Sequence, residues 1–584
     1  MTDQIAKPQS FQRPRWLHRA RAFVESWQLE AKAVRLALLV MSAAAAFHIW
    51  QHEGNSASIA FVASATLLVA AVLVLITRRA LVAAVVTVAM MAIVVLASSE
   101  KIRLMHMAIH AYDIVYYLSS PATLKFLFLN FPLPMMQLFG AFAALGLVAW
   151  AAFHIDPTRV ARHHTAIALA ALVGLTTWTA NVKGSRADMQ QFEDDLALST
   201  FYASWSETVE TLWRGQLFEA APYKAGGVPL LIPASCDLPK KPPHILLIHE
   251  ESVVPPEYFP TLGYDKSLDS MFRSSDGKLH PLRVETYAGA SWLTEFSILA
   301  GVSTYSFGGM RPFVQAMMAG KVHDTLPEAL SRCGYRNTVF YPLSKNFVSN
   351  GRFYAAVGMP EIFDMKDQGS KSGHERDSFF FNNALNMMEK HFATSKQPLF
   401  TFLITFATHQ PYYFAFMPEL KVPGGAPGTA PEMDEFLRRL SMAHTDYNQM
   451  KADLARRFPN ERFLIVHYGD HQPTSTWSLL SETDRTAIRS KDRNLTKDSP
   501  AYLTYYAVEG VNYTVPPLPE VATMDVPYVG TMLLEAAGIP LSPAFQERKR
   551  LMQVCNGRYN GCEKPDEILA FHRRLIDSGL MEAR

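Results

Sequence analysis

At 584 residues the chain is too long for one ordinary domain, so at least two units are expected. Its 55 Lys and Arg against 53 Asp and Glu leave a formal charge of +2, which gives no reason to propose a nucleic-acid partner. The averages hide a sharp division. Residues 34–182 are mostly Ala, Val, Leu, Ile, Met and Phe, whereas from Lys183 onward the composition is that of a soluble α/β protein.

Residues 1–33 carry Lys7, Arg13, Arg15, Arg19, Arg21 and Lys32 and read as a cytoplasmic segment. A helix rises about 1.5 Å per residue, so crossing a ~30 Å hydrocarbon layer takes about 20 apolar residues. Five stretches approach this: 34–50, 57–77, 80–98, 134–154 and 165–182. They are too many and too long for a signal peptide. Only Arg78 and Arg79 separate the second from the third, which forces an antiparallel hairpin. Arg159 and Arg162 lie between the fourth and fifth. With five spans all three basic regions fall on one side, the cytoplasmic one, and residues 183–584 lie outside. The expected location is a bacterial cytoplasmic (inner) membrane, with the C-terminal part extracytoplasmic. The long connection Glu100–Pro132 is aromatic and amphipathic, as Tyr112, Tyr116, Tyr117, Phe126, Phe128 and Phe131 show. It suits a segment resting at the head-group level, or one that helps present a lipid.

Residues 183–240 read as an extracytoplasmic linker with helical periodicity at Phe192, Leu196, Tyr202, Val209 and Leu212. Pro233, Pro239, Pro242 and Pro243 punctuate the entry to a compact domain over 241–545, followed by a C-terminal extension over 546–584. Apolar runs at His244–Glu251, Thr338–Leu343, Leu399–Ala407, Phe463–Tyr468 and Tyr502–Val508 alternate with helical patterns. That alternation predicts a mostly parallel sheet covered on both faces. In such sheets ligands gather beyond the carboxyl ends of the strands.

The charged clusters stand at those ends. One run finishes in Glu250 and Glu251, one in His409 and one in Asp470 and His471. Carboxylates and imidazoles converging there can hold a divalent cation, with O and N donors suited to Zn2+ or Mn2+. Tyr287-Ala-Gly-Ala-Ser291 leads into a helical pattern from Trp292 to Leu299. Ser291 at a helix N-terminus is either a plain N-cap or a nucleophile beside an oxyanion-binding end. The four cysteines lie in the second part. An even number suits an oxidising compartment, but whether Cys555 pairs with Cys562 and Cys236 with Cys333 is not readable from sequence.

Together these segments resemble the sulfatase-like branch of the alkaline phosphatase superfamily, and more closely the lipoteichoic acid synthases and phosphoglycerol transferases of bacterial membranes. The first strand ends in a pattern similar to the family's x-x-Glu-Ser, here His249-Glu-Glu-Ser252, which selects Glu251 over Glu250 as a metal ligand. The family's Tyr-Gly-Asp-His is present as Tyr468–His471, giving Asp470 and His471. Gly289-Ala-Ser-Trp-Leu-Thr-Glu-Phe296 places Ser291 at the nucleophile position, where it would also ligate the metal. Thr408-His-Gln-Pro411 nominates His409 beside the transferred head group, and Asn350-Gly-Arg-Phe-Tyr354 nominates Arg352 for phosphate.

The resemblance implies a five-span α-helical membrane domain followed by an α/β alkaline phosphatase-like domain with a mostly parallel central sheet. It also implies one divalent cation, Mn2+ or Zn2+ with Mg2+ as a further option. The expected activity is transfer of a phosphate-linked head group, phosphoglycerol from phosphatidylglycerol, to an envelope glycan or polymer through a phospho-serine-type intermediate. A phosphoethanolamine transferase, a phosphodiesterase of the same superfamily and a catalytically silent scaffold are the alternatives. Two departures stand out: most relatives carry threonine where this chain has Ser291, and Lys345 stands where the closest ones have an acidic residue.

Overall fold

The computed structural model describes residues 30–54, 56–105, 107–117, 121–183, 197–214, 217–223, 229–233, 235–236, 241–371, 374–420, 431–489 and 495–582. The basic residues of 1–29 and the linker positions Phe192 and Leu196 lie outside them. Each long apolar run forms a helix: α1 (Ala31–His52), α2 (Ser56–Thr77), α3 (Ala80–Met105), α5 (Pro132–Ile155) and α6 (Arg162–Lys183), with a short α4 (Pro121–Asn130) ahead of α5. Among the described residues five helices are long and apolar enough to cross a membrane, and the chain is a multi-pass membrane protein. Each helix runs past its apolar run at one end or both. Asp156 shows how the loops are closed. It is buried, accepts the Leu81 N–H at 3.1 Å and the Thr158 N–H at 2.8 Å, and its carbonyl takes Arg79.

The chain divides into two compact units: residues 1–110, 127–185 and 194–203, and residues 111–126, 186–193 and 204–584. The long connection therefore contributes 111–126 to the second unit, where Tyr112 is buried with its ring 4.9 Å from that of Phe313. The linker contains a helix, α7 (Ala197–Arg214), which buries Leu198 and Phe201 in its first half and changes character in its second. Ser204 and Thr208 are buried, and the Ser204 hydroxyl accepts the Ala111 N–H. Trp205, Val209 and Trp213, one per turn, are exposed. Tryptophan on the outer face of a helix suits a lipid interface better than bulk water.

The second unit is built on one eight-stranded sheet: β1 (His244–Glu250), β2 (His280–Arg283), β3 (Arg336–Phe340), β4 (Glu361–Phe363), β5 (Leu399–Ile404), β6 (Phe463–Gly469), β7 (Leu503–Val511) and β8 (Met524–Asp525), in the order β4-β3-β5-β1-β6-β7-β2-β8. The core β4-β3-β5-β1-β6 is parallel, whereas β7 runs antiparallel to both its neighbours. The central strands β1, β5 and β6 are buried at every position, so their sequences read as continuous apolar runs rather than alternations. On one face, Phe381 and Leu385 of α10 (Asp377–Thr394) and Met450 and Leu454 of α11 (Pro431–Arg457) pack against Ile248, Leu403 and Ile465. The nucleophile candidate opens α8 (Ser291–Ala300), and α9 (Asn350–Ala356) precedes α10.

Both cysteine pairs are disulfides, Cys236 to Cys333 and Cys555 to Cys562. The C-terminal extension is folded onto the domain rather than trailing from it. Arg548 of α12 (Pro543–Val554) is buried and donates to the carbonyls of Ala300 and Gly301 at the end of α8.

Candidate active site

The carboxyl ends of the neighbouring strands β5, β1 and β6 lie side by side, and the side chains just beyond two of them meet over the N-terminus of α8. Glu251 follows β1 and Asp470 and His471 follow β6. Gly469 is required at the end of β6, because a Cβ there would stand 1.9 Å from the Val253 carbonyl oxygen. Three non-glycine residues around the site hold left-handed backbone: Ser252 (φ 57°), Ala288 (φ 61°) and Ala290 (φ 63°). Such conformations cost about 1–3 kcal/mol each and cluster where a side chain must be aimed against local preference. Here the turn Ala288-Gly-Ala290 delivers Ser291 as the first helical residue.

Ser291 is not the helix cap. Ala290 occupies that position, and the Ser291 hydroxyl donates instead to Glu251 Oε2 at 2.9 Å, with His471 Nε2 at 3.4 Å. His471 Nε2 lies 3.4 Å from Glu251 Oε1 and 3.3 Å from Asp470 Oδ2. Glu251, Asp470 and His471 are buried, and Ser291 is partly so. Asp470 Oδ1 accepts the N–H groups of Ser252 and His471 at 2.7 and 2.8 Å, which fixes the carboxylate and leaves Oδ2 facing the cluster. Burial alone would raise the Asp470 carboxyl, but the imidazoles of His471 and His249 more than offset it and hold it well below the ordinary range. The backbone behind each group is tied down as well. Thr294 donates to the Asp470 carbonyl at 2.9 Å and Thr408 to that of Glu251.

Glu250, the adjacent acid, belongs to a different environment. It is buried near Thr405 and His467, and burial together with Asp377 pushes its carboxyl well above the ordinary range. His409 stands beyond the end of β5 with its ring stacked on Phe406, centroids 4.4 Å apart. Arg352 is exposed on α9 and, among the described residues, makes no hydrogen bond or ion pair. Its helix is nevertheless joined to α8, since Tyr354 donates to Glu295 Oε2 at 2.7 Å. The loop before α9 is strained at Val348 (φ 41°) and Ser349 (φ 64°).

Residues 284–485 match the family model described as Sulfatase. The second unit contains a sulfatase-family domain. The match spans Ser291, Arg352, His409, Asp470 and His471 but begins after Glu251, which only the fold brings to them. The chain also has a relative in Haemophilus influenzae, an uncharacterized protein 22% identical over 321 residues, 53% of this chain and 54% of the relative. The chain thus spans about half the length of the curated relative it matches. Among solved structures it is similar to the Streptococcus pyogenes phosphoglycerol transferase GacH in complex with sn-glycerol-1-phosphate, with 16% identity, 60% of this chain and 89% of that one covered, and a TM-score of 0.46. It is also similar to the Neisseria meningitidis integral membrane phosphoethanolamine transferase EptA, with 11% identity, 83% and 96% covered, and a TM-score of 0.43. A third likeness is the Listeria monocytogenes lipoteichoic acid synthase LtaP, with 16% identity, 51% and 73% covered, and a TM-score of 0.39.

The donor set of the sulfatase-family domain fits a divalent cation. Asp470 Oδ2 is buried and accepts no hydrogen bond of good geometry, although two imidazole nitrogens lie close to it. Two carboxylates, an imidazole and a hydroxyl within hydrogen-bonding reach of one another form an O/N set of the kind such ions take. Two residues that carry no assignment in the sequence reading also enter the site. His249 is fully buried with Nε2 3.2 Å from Asp470 Oδ2 and Nδ1 paired with the Tyr468 hydroxyl at 2.8 Å. Together with Glu251 and Asp470 it forms a group whose candidate ligand atoms lie within 4.8 Å. Its place two residues before Glu251 puts it on the same strand face, a position that by itself reads as an ordinary core histidine. Gln410 ties three loops together by donating to the Ala288 carbonyl at 3.3 Å and accepting from Thr474 at 3.0 Å. No periodicity marks such a residue.

Proposed function

We propose that this protein transfers a phosphate-linked head group, phosphoglycerol from phosphatidylglycerol, to an envelope glycan or polymer, with Ser291 as nucleophile and Glu251, Ser291, Asp470 and His471 as ligands of one divalent cation, Mn2+ or Zn2+. The observation that carries this reading is the hydrogen bond from Ser291 to Glu251 beside His471 at the N-terminus of α8. A hydroxyl so placed has an acceptor for its proton and a helix end that favours an incoming phosphate. The bound cation would supply Lewis-acid stabilisation of charge on the serine and phosphoryl oxygens.

The scheme has two steps. Ser291 Oγ attacks phosphorus, the bond to the diacylglycerol oxygen breaks, and the proton passes to the departing alkoxide. The head group then sits on Ser291 as a phosphodiester. An acceptor hydroxyl attacks the same phosphorus, the Ser291 ester breaks and Oγ recovers a proton. His409 and Arg352 hold the head group and its phosphate. A sulfatase activity is disfavoured because Ser291 is followed by Trp-Leu-Thr, without the Pro and Arg of the Cys/Ser-x-Pro-x-Arg motif. An extracytoplasmic site is supported by two disulfides in the second unit and by the basic residues Arg78, Arg79, Arg159 and Arg162 in loops that five spans place on one side.

The test uses the full chain in liposomes with head-group-labelled phosphatidylglycerol or phosphatidylethanolamine. Diacylglycerol release and a labelled adduct on Ser291, from phosphatidylglycerol and lost on chelation, are expected. Label from phosphatidylethanolamine alone would make the enzyme an ethanolamine transferase. Release with label only in water would make it a hydrolase.

A further inference from the structure

After β5 the chain passes beside the site as Thr405–Leu420, bonded there through Thr408 and Gln410, without helix or strand, so its carbonyl groups need partners from elsewhere. Two adjacent side chains of α11 supply them. Arg439 donates to the carbonyls of His409 at 2.6 Å, Pro411 at 2.9 Å and Phe414 at 3.2 Å, while Arg438 takes those of Phe416, Met417 and Leu420. Arg439 is only 2% exposed. Its Nε donates to Glu435 Oε1 at 2.7 Å, and that oxygen also accepts the Phe416 N–H at 2.7 Å. The rings of Tyr412, Phe414 and Phe416 stand 5.1–5.4 Å from the guanidinium carbon.

A buried guanidinium is costly to desolvate, and here one carboxylate and three carbonyls offset the cost. Only a planar fork with five N–H groups can reach carbonyls at positions 409, 411 and 414 at once; an ammonium on a flexible stem cannot. All three carbonyls belong to this loop, and the first is that of His409 itself. From this geometry we propose that Arg439 is a positioning residue for His409, holding its backbone while Phe406 supports its ring. The inference rests on the reading of His409 as a head-group residue.

The test compares R439K, H409A, the double variant and R438K in the full chain with lipid donor. R439K is expected to lower kcat by about ten- to a hundredfold, the scale of a displaced catalytic group, with R438K near wild type. In the H409A background R439K is expected to add nothing, because groups acting as a unit are not additive. A milder loosening, E435Q, keeps the inference open to test if R439K does not fold. It should lower kcat in the same direction, and again only when His409 is present. If H409A is impaired and either second substitution multiplies the loss, the positioning role is wrong while the His409 reading stands. If H409A turns over like wild type, the His409 reading falls and the inference falls with it.

Discussion

Ser291 and Glu251 come from elements forty positions apart, yet the serine hydroxyl donates to the carboxylate at 2.9 Å. Because Ala290, not Ser291, is the helix cap, the hydroxyl is left free of capping duty for this bond. Ser291→Ala should therefore leave folding intact, since no cap is lost, while turnover drops by roughly three orders of magnitude or more. Near wild-type release of diacylglycerol by that variant, with an unchanged melting temperature, would sink the nucleophile assignment.

His249 offers a prediction that does not depend on turnover. It sits behind Asp470, and partners of this kind orient a ligand; their loss typically costs 10–100-fold in metal affinity, on the order seen for such shells. His249→Ala should weaken Mn2+ binding by about that factor in calorimetry on the purified full chain. Unchanged affinity would mean that the Ser252 and His471 N–H groups alone hold the carboxylate.

Asp377 carries a pH signature. Burial is the main reason its carboxyl is pushed up to about 7, and the N–H groups of Ala407 and Phe406 only partly counter it. A raised acid means that between about pH 4 and 7 the folded state keeps a proton the unfolded chain releases. Its contribution is therefore present at the acid end and lost as pH rises through this window, by roughly 1.4 kcal/mol for each unit of difference. Asp377→Asn has no proton to lose, so its stability relative to wild type should improve from pH 4 to 7. A constant difference across that range in denaturant titrations would contradict the assignment.

Arg548 closes α8 at the end opposite Ser291. Its bonds to the Ala300 and Gly301 carbonyls are 3.0 and 2.9 Å long, and a cation there also suits the negative end of the helix. Arg548→Met leaves two carbonyls unpaired in the interior and should cost about 2–4 kcal/mol. Arg548→Lys should recover only part of this, because one ammonium cannot reproduce both bonds. Equal stability of all three proteins would show that water takes the place of the guanidinium.

The sequence by itself determined the membrane helices, the central strands and the residue types at their ends. Those features follow from local physics. A run such as 57–77 can satisfy its backbone in hydrocarbon only as a helix, and a buried parallel strand such as Phe463–Gly469 must be apolar on both faces. The Tyr-Gly-Asp-His and Ala-Ser-Trp segments were legible because strand ends are where such sheets place their chemistry.

What lay beyond reach depends on partners distant in the chain. That β7 runs against its neighbours, that Cys236 meets Cys333, and that α7 turns its tryptophans outward are matters of tertiary packing. The roles proposed for His249 and Arg439 were invisible for the same reason. A buried histidine behind Asp470 and an arginine in the middle of an amphipathic helix look like ordinary core and surface residues until the carbonyls and carboxylates they serve are brought to them by the fold. Hydrogen-bond complementarity is a property of three-dimensional neighbours, and no spacing along the chain encodes it.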